Sequence, residues 1–146
     1  MKKVFYATLI GLLWLVFACQ VEAKKINFGH DACSFCKMTI VDQQHAAQYV
    51  TKKGKQFKFD AIECMVNDLS EKDRTEIAIL LSADYGEPGS MTDAATATYL
   101  ISKKIKSPMG AFLSGFSSNE KALLTQKESG GDLYTWKELL VKFDVE

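Results

Sequence analysis

The first eighteen residues constrain the rest of this 146-residue chain most strongly. Lys2 and Lys3 form a short basic head, and residues 4–18 follow without a charge. That run is roughly 15 residues, shorter than the roughly 20 that a helix needs to cross a bilayer, and it has the length of the apolar core of an export signal. The expectation is a signal peptide over 1–18, which leaves material for one domain outside the cytoplasm. The whole chain carries 18 basic and 18 acidic residues. Losing Lys2 and Lys3 and no acid leaves 16 against 18, a small net negative charge. No clustered basic surface is legible, so a nucleic-acid partner is not expected.

The run ends in Leu15-Val16-Phe17-Ala18-Cys19. An apolar residue three before a cysteine and a small residue just before it resemble the lipobox of bacterial lipoproteins, although Phe17 is bulkier than is usual at its place. What this implies is a thioether-linked diacylglycerol on Cys19, cleavage before it, and acylation of the new amine. Several acyl chains together give the stable membrane anchoring that one cannot. A plain signal peptide or an uncleaved anchor is the other reading of these residues. Residues 19–28 then read as the lipidated cysteine and a polar tether, and 29–146 as the folded part.

Within 29–146, strand and helix signals alternate irregularly, which predicts an α+β fold rather than a doubly wound parallel sheet. Residues 38–41 and 46–51 have strand composition, 52–55 a turn, and 56–59 a partner strand. Asp60 is a plausible N-cap for a helix over 61–69, with Ile62, Met65, Val66 and Leu69 at helical spacing. Residues 76–82 and 94–102 read as strands, separated by a loop over 84–90 containing Gly86, Pro88 and Gly89. Ser118 or Asn119 caps a helix through Lys127 closed by Gly130-Gly131, and 136–143 reads as a last helix. His45 falls in an expected turn, where exposure is the default. A faint repeat pairs the stretch from Cys36-Lys37-Met38 to the helix at Asp60 with that from Ser107-Pro108-Met109-Gly110 to the helix holding Glu138. Two small ββα-type units, about 30–75 and 100–143, would follow, with Met38 and Met109 at equivalent places.

With Cys19 committed to lipid, Cys33, Cys36 and Cys64 remain, an odd number that leaves at least one thiol outside disulfide chemistry. Around the first pair the sequence reads His30-Asp31-Ala32-Cys33-Ser34-Phe35-Cys36-Lys37-Met38. Thiols, a thioether and an imidazole this close suggest a soft metal site. Cu(I) accepts a thioether readily, and Zn(II) suits cysteine with histidine. Lys37 is expected to lower the pKa of the cysteine beside it. Three other readings stay open. The Cys33/Cys36 pair is a plain disulfide, or a thiol–disulfide oxidoreductase site, or part of a structural zinc knuckle with Cys64 and a histidine. The oxidoreductase reading lacks the helix that should start at the first cysteine. Met65 reads as core, His30 has a surface alternative, and Met91 and Met109 are lone methionines of which only the repeat singles out Met109.

The order Cys33-x-x-Cys36-x-Met38-x-Ile40, Ala46-Ala47, Gly54, Phe59-Asp60-x-Ile62-x-Cys64-Met65, then Ala94 to Tyr99, Ile105-Lys106-Ser107-Pro108-Met109-Gly110 and Gly130-Gly131 resembles the NosL family, the accessory lipoproteins of nitrous oxide reductase. The lipobox belongs to the same pattern. The resemblance implies a pair of similar α+β units related to the N-terminal part of organomercurial lyase. It also implies a Cu(I) carrier rather than an enzyme, working with nitrous oxide reductase and an ABC-type maturation complex at the membrane. The family's Cys-x-Met element falls on Cys36 and Met38, and its Ser-Pro-Met-Gly element on Met109. The family commonly has glycine where this chain has Lys37. The ligand set expected on this basis is Cys36, Met38 and Met109, with Cys33, Cys64 or His30 as a further donor.

Overall fold

The computed structural model describes residues 20–145. The expected signal and Cys19 lie outside the described residues. β1 (Ala47–Thr51) and β2 (Gln56–Phe59) form the hairpin expected from the Lys52-Lys53-Gly54-Lys55 turn, with Ala47 opposite Phe59 and Val50 opposite Gln56. α1 (Ile62–Leu69) follows, then a single 3-10 turn (Arg74–Glu76), β3 (Ile77–Ala83) and β4 (Met91–Asp93). These strands make an antiparallel sheet in the order β2-β1-β3-β4. β5 (Thr98–Ile101), β6 (Leu113–Phe116), α2 (Asn119–Ser129), β7 (Asp132–Thr135) and α3 (Trp136–Lys142) build a second antiparallel sheet in the order β6-β5-β7.

The α+β class with two similar units is therefore observed. In each unit a hairpin is followed by a helix, and the next strand returns to the free side of the first, giving β-β-α-β twice. In this frame Met38 precedes β1, whereas Met109 lies between β5 and β6, so the two methionines do not occupy equivalent positions. α1 buries Ile62, Met65, Val66 and Leu69 and packs on β1, β2 and also β6, so it sits in the seam between the units. Tyr49 of β1 stacks on Phe57 at 4.6 Å and donates a 2.6 Å hydrogen bond to buried Asp68. Among the described residues no helix is long and apolar enough to cross a membrane.

Four local expectations are corrected. Residues 38–41 form no strand; only a single bridge joins Ala32 and Thr39, because the chain there closes a tight turn. The strand expected over 94–102 begins only at Thr98. The Asp93 side chain accepts from the amides of Ala95 and Thr96 and bends the chain before it, a local competition that strand propensity does not anticipate. His45 is buried, its Nδ1 3.0 Å from Asp42 and its Nε2 3.2 Å from Ser114 Oγ in β6. Ser114 is itself fully buried, so this Asp–His–Ser chain ties β1 to the second unit and offers no hydroxyl to a substrate. Residues 20–28 are not a free tether. The Lys24 amide donates to Gln56 Oε1, Gln56 Nε2 to the Glu22 carbonyl and Lys58 Nζ to the Lys25 carbonyl, which straps this segment along edge strand β2.

The units are also joined beyond α1. Gly115 of β6 lies so close to β3 that a Cβ there would stand 3.0 Å from the Ala83 carbonyl, and the Tyr85 amide donates to the Gly115 carbonyl at 2.8 Å. Beside it, buried Asp84 accepts from the Gly86 amide at 3.0 Å, from Lys121 Nζ of α2 at 3.1 Å and from the Ser117 hydroxyl. Burial opposes the charge of Asp84, but these donors hold its carboxyl below the ordinary 3.8. A depressed carboxyl stabilises the fold above its unfolded pKa, and that contribution is lost as pH falls through the folded value. Asp84→Ala should lower stability by about 3 kcal/mol at neutral pH, because a buried acceptor of several donors is lost. In urea unfolding, the gap from wild type should narrow as pH falls below about 4, the carboxyl pKa of the unfolded chain, toward the lower folded pKa of Asp84.

Candidate metal centre

The 29–40 segment folds back on itself as a small hairpin. The Gly29 amide donates to the Ile40 carbonyl at 2.8 Å and the Ile40 amide to Asp31 at 2.9 Å. At its tip the Cys33 amide donates to the Met38 carbonyl at 2.8 Å, and the Lys37 amide returns to the Cys33 carbonyl at 3.1 Å. This turn is fastened to β2. The Ser34 amide donates to the Lys58 carbonyl, the Lys58 amide to Ser34 Oγ, and Lys58 Nζ pairs with Asp31 at 2.6 Å.

Closing the turn forces Lys37 to φ +69, a left-handed conformation that a residue with a Cβ adopts at a cost. This accounts physically for glycine as the residue that suits the position. Its ammonium group folds back onto the Ser34 carbonyl rather than toward a thiol. Lys37→Gly should therefore raise stability by about 1 kcal/mol, read as a higher midpoint in thermal unfolding, with no loss of the cysteine geometry.

The turn, the β2–α1 junction and the first turn of α1 converge. The sulfurs of Cys33, Cys36 and Cys64 and a carboxylate oxygen of Asp60 all lie within 4.8 Å of one another. The three cysteines are free thiols; Cys33 and Cys64 are buried, and Cys36 is partly open to solvent. Asp60 was expected to cap α1. Instead Ala61 is the N-cap and makes no side-chain cap bond, while Asp60 Oδ1 accepts from the Cys36 thiol at 3.3 Å. Asp60 is the site residue that sequence reasoning missed. Its place in Phe59-Asp60-x-Ile62-x-Cys64 was a usable signal, hidden because the capping role explained it equally well.

The three thiols differ sharply. The Cys64 thiol hydrogen-bonds to Cys33, and the amides of Asp60, Cys36 and Phe35 also point at Cys33; against the opposing effect of burial they bring its pKa down from 9.0 to about 6. Cys33 is thus the most readily ionised of the three thiols. Cys36 is pushed up, first by burial and then by its thiolate neighbour Cys33 and by Asp60. Cys64 is pushed up by its bond to Cys33, by burial and by Asp60. The expectation that Lys37 lowers the pKa of Cys36 is corrected: the activated thiol is Cys33, and neighbouring amides and a thiol activate it. This arrangement is the reverse of what thiol–disulfide exchange needs, since the thiolate is buried and the accessible thiol is protonated.

Among the other expected donors, His30 is exposed and stands outside the cluster. Met38 is 54% exposed, two residues beyond Cys36 in the same turn. Met109 is 43% exposed, in the loop before β6. That loop is moored to α1 next to Cys64, because Glu63 Oε1 accepts from the Ser107 hydroxyl and the Ala111 amide. Three sulfurs, one of them readily ionised, form a donor set matched to a soft cation. The nearby carboxylate adds a harder oxygen that Zn(II) also accepts.

The NosL family model matches residues 25–142. No curated protein matches the chain. The crystal structure of the copper chaperone NosL from Shewanella denitrificans is similar, with a TM-score of 0.70 at 20% identity over 82% of this chain and 96% of that one. At that identity the likeness concerns the fold.

Proposed function

The chain belongs to the NosL family, and we propose that it is an extracytoplasmic Cu(I) carrier, held at the membrane by lipid on Cys19, that supplies copper for maturation of nitrous oxide reductase through its ABC-type complex. The observation that carries the copper reading is the convergence of Cys33, Cys36 and Cys64 around a thiolate. The copper chaperone of like fold lends it further support.

In this reading Cu(I) first meets the Cys33 thiolate and the half-open Cys36. The proton of Cys36 already points at Asp60 and leaves by that carboxylate as sulfur binds the metal. Cys64, whose thiol also hydrogen-bonds to Asp60, would lose its proton through the same carboxylate to solvent and complete the sulfur set, and Met38 and Met109 offer thioethers from the exposed side. Neutral thioethers bind weakly enough to be exchanged, so an acceptor's sulfur enters on their side before the thiolates release the ion. The strap over 20–28 supports a short tether: it leaves the chain beside the β1–β2 turn, whereas the cysteines stand at the opposite end of that hairpin, beyond Phe59. A lipid on Cys19 would therefore hold the metal centre facing away from the bilayer.

Anaerobic Cu(I) titration of the full chain against a competing chelator, with Zn(II) in parallel, tests the reading. One tightly held Cu(I) and weak Zn(II) are expected, with Cu(I) affinity falling as pH is lowered. Each displaced proton contributes about tenfold per pH unit. Below about pH 6 the slope should steepen by one further proton, because Cys33 then has to be deprotonated as well. Tighter Zn(II) than Cu(I), or Cu(I) binding that survives Cys36→Ser and Met38→Leu together, would overturn it.

A further inference from the structure

We propose that Glu63 is a positioning residue of the metal site: its buried carboxyl holds the 107–112 loop against the first turn of α1 and so keeps the Met109 thioether within reach of copper on the cysteine cluster. This rests on the reading of Met109 as a copper donor. Glu63 directly precedes Cys64 and is only 2% exposed. Its Oε1 accepts from the Ser107 hydroxyl and, at 3.3 Å, from the Ala111 amide. Ser107 Oγ in turn accepts from the Phe112 amide at 2.9 Å, so one carboxyl oxygen organises both ends of the loop.

Besides these, the Ser102 amide donates to the Phe112 carbonyl and the Gly110 amide to the Ser107 carbonyl, both at 3.1 Å, and among the described residues no further side chain holds the loop's tip. Pro108, Met109 and Gly110 are exposed, and Phe112 sits at φ +58, a conformation that its side chain disfavours. The Ala111 side chain packs against the core cluster that contains Cys33 and Cys64, and the Glu63 anchor stands one residue from Cys64. Glu63 Oε2 is buried with no hydrogen-bond partner. Strain and an unsatisfied buried oxygen meeting at one point are the mark of a site shaped for function rather than for stability alone. What the arrangement achieves is an exposed thioether on a fixed backbone, available to a metal without being packed into the core.

The test follows the Met109 methyl signal in carbon-13 NMR of the full chain, labelled at the methionine methyls, as Cu(I) is added. In the wild type the Met109 signal should move. In Glu63→Ala it should stay in place while the cysteines still take up Cu(I), with affinity about tenfold lower. Glu63→Gln, which keeps an oxygen acceptor, should restore the response. Should Glu63→Ala fail to fold, Ser107→Ala breaks the same link from the loop side and carries the same expectation. A Met109 signal that responds in Glu63→Ala or Ser107→Ala as it does in the wild type, whatever the loss in melting temperature, would overturn the positioning role. An unmoved Met109 signal in the wild type would instead remove Met109 from the ligand set, and this inference with it.

Discussion

Cys33→Ser is expected to weaken Cu(I) binding by about a thousandfold at neutral pH, the largest single-residue effect on the metal. A cysteine-rich metal site contributes roughly 10–16 kcal/mol in total, and one thiolate of three to four donors carries on the order of 4 kcal/mol of that. Cys33 should reach this value because it alone among the three cysteines has its pKa lowered, so it costs least to ionise when copper arrives. The substitution also replaces the sulfur that the Cys64 thiol bonds to with a smaller hydroxyl, while the Asp60 partner of Cys64 remains. Met38→Leu should cost far less, about tenfold, since a neutral thioether gains less from a cation. Competition with a chromophoric Cu(I) chelator measures both. A Cys33→Ser protein within tenfold of wild type would move the ion onto Cys36, Met38 and Met109, the set that the sequence first suggested.

The second large effect is structural and falls in the other unit. Gly131 opens β7 at φ +97, and a Cβ there would stand 2.2 Å from the Ile101 carbonyl oxygen and 2.9 Å from the Ser102 Cα. Both obstacles are backbone atoms at the end of the paired strand β5 and just past it, which cannot turn aside as a flexible side chain would. Gly131→Ala therefore has to break the pairing of Ile101 with Asp132 or push the two strands apart. The combined steric and conformational cost is about 4 kcal/mol, enough to unfold a domain of ordinary stability. Urea unfolding should show the midpoint collapse. Gly54→Ala, with open space around its Cβ and a comparable φ, should cost only about 1 kcal/mol.

The contrast between these residues shows what the sequence could and could not disclose. The β1–β2 hairpin and α1 were legible because alternation, a turn tetrapeptide and helical spacing all agree over residues 46–69. The cap of the last helix was equally local: Thr135 and Glu138 form a capping box within four residues. The 38–41 segment misled because its β-branched composition is real but serves to close a turn, and turn closure depends on Lys37 accepting a left-handed backbone. His45 misled for the opposite reason, since burial came from Ser114, distant in sequence.

At the site, the proximity of Cys33 and Cys36 was readable from spacing; Cys64 and Met109 were named by the family resemblance, and the structure brings Cys64 into the cluster. The ranking among them was not. Which thiol ionises depends on amides and a second thiol converging from three segments, and no linear pattern records that. Asp60 was invisible for the same reason: one carboxylate before a helix looks like a cap until Cys36 is folded against it.

The most direct measurement is copper K-edge X-ray absorption on the full chain loaded with one equivalent of Cu(I). The expected result is a Cu(I) edge and a first shell made of sulfur, with the sulfur number falling in Cys33→Ser and in Cys64→Ser. A shell dominated by nitrogen or oxygen, or a sulfur shell unchanged in both variants, would contradict the assignment of copper to the cysteine cluster.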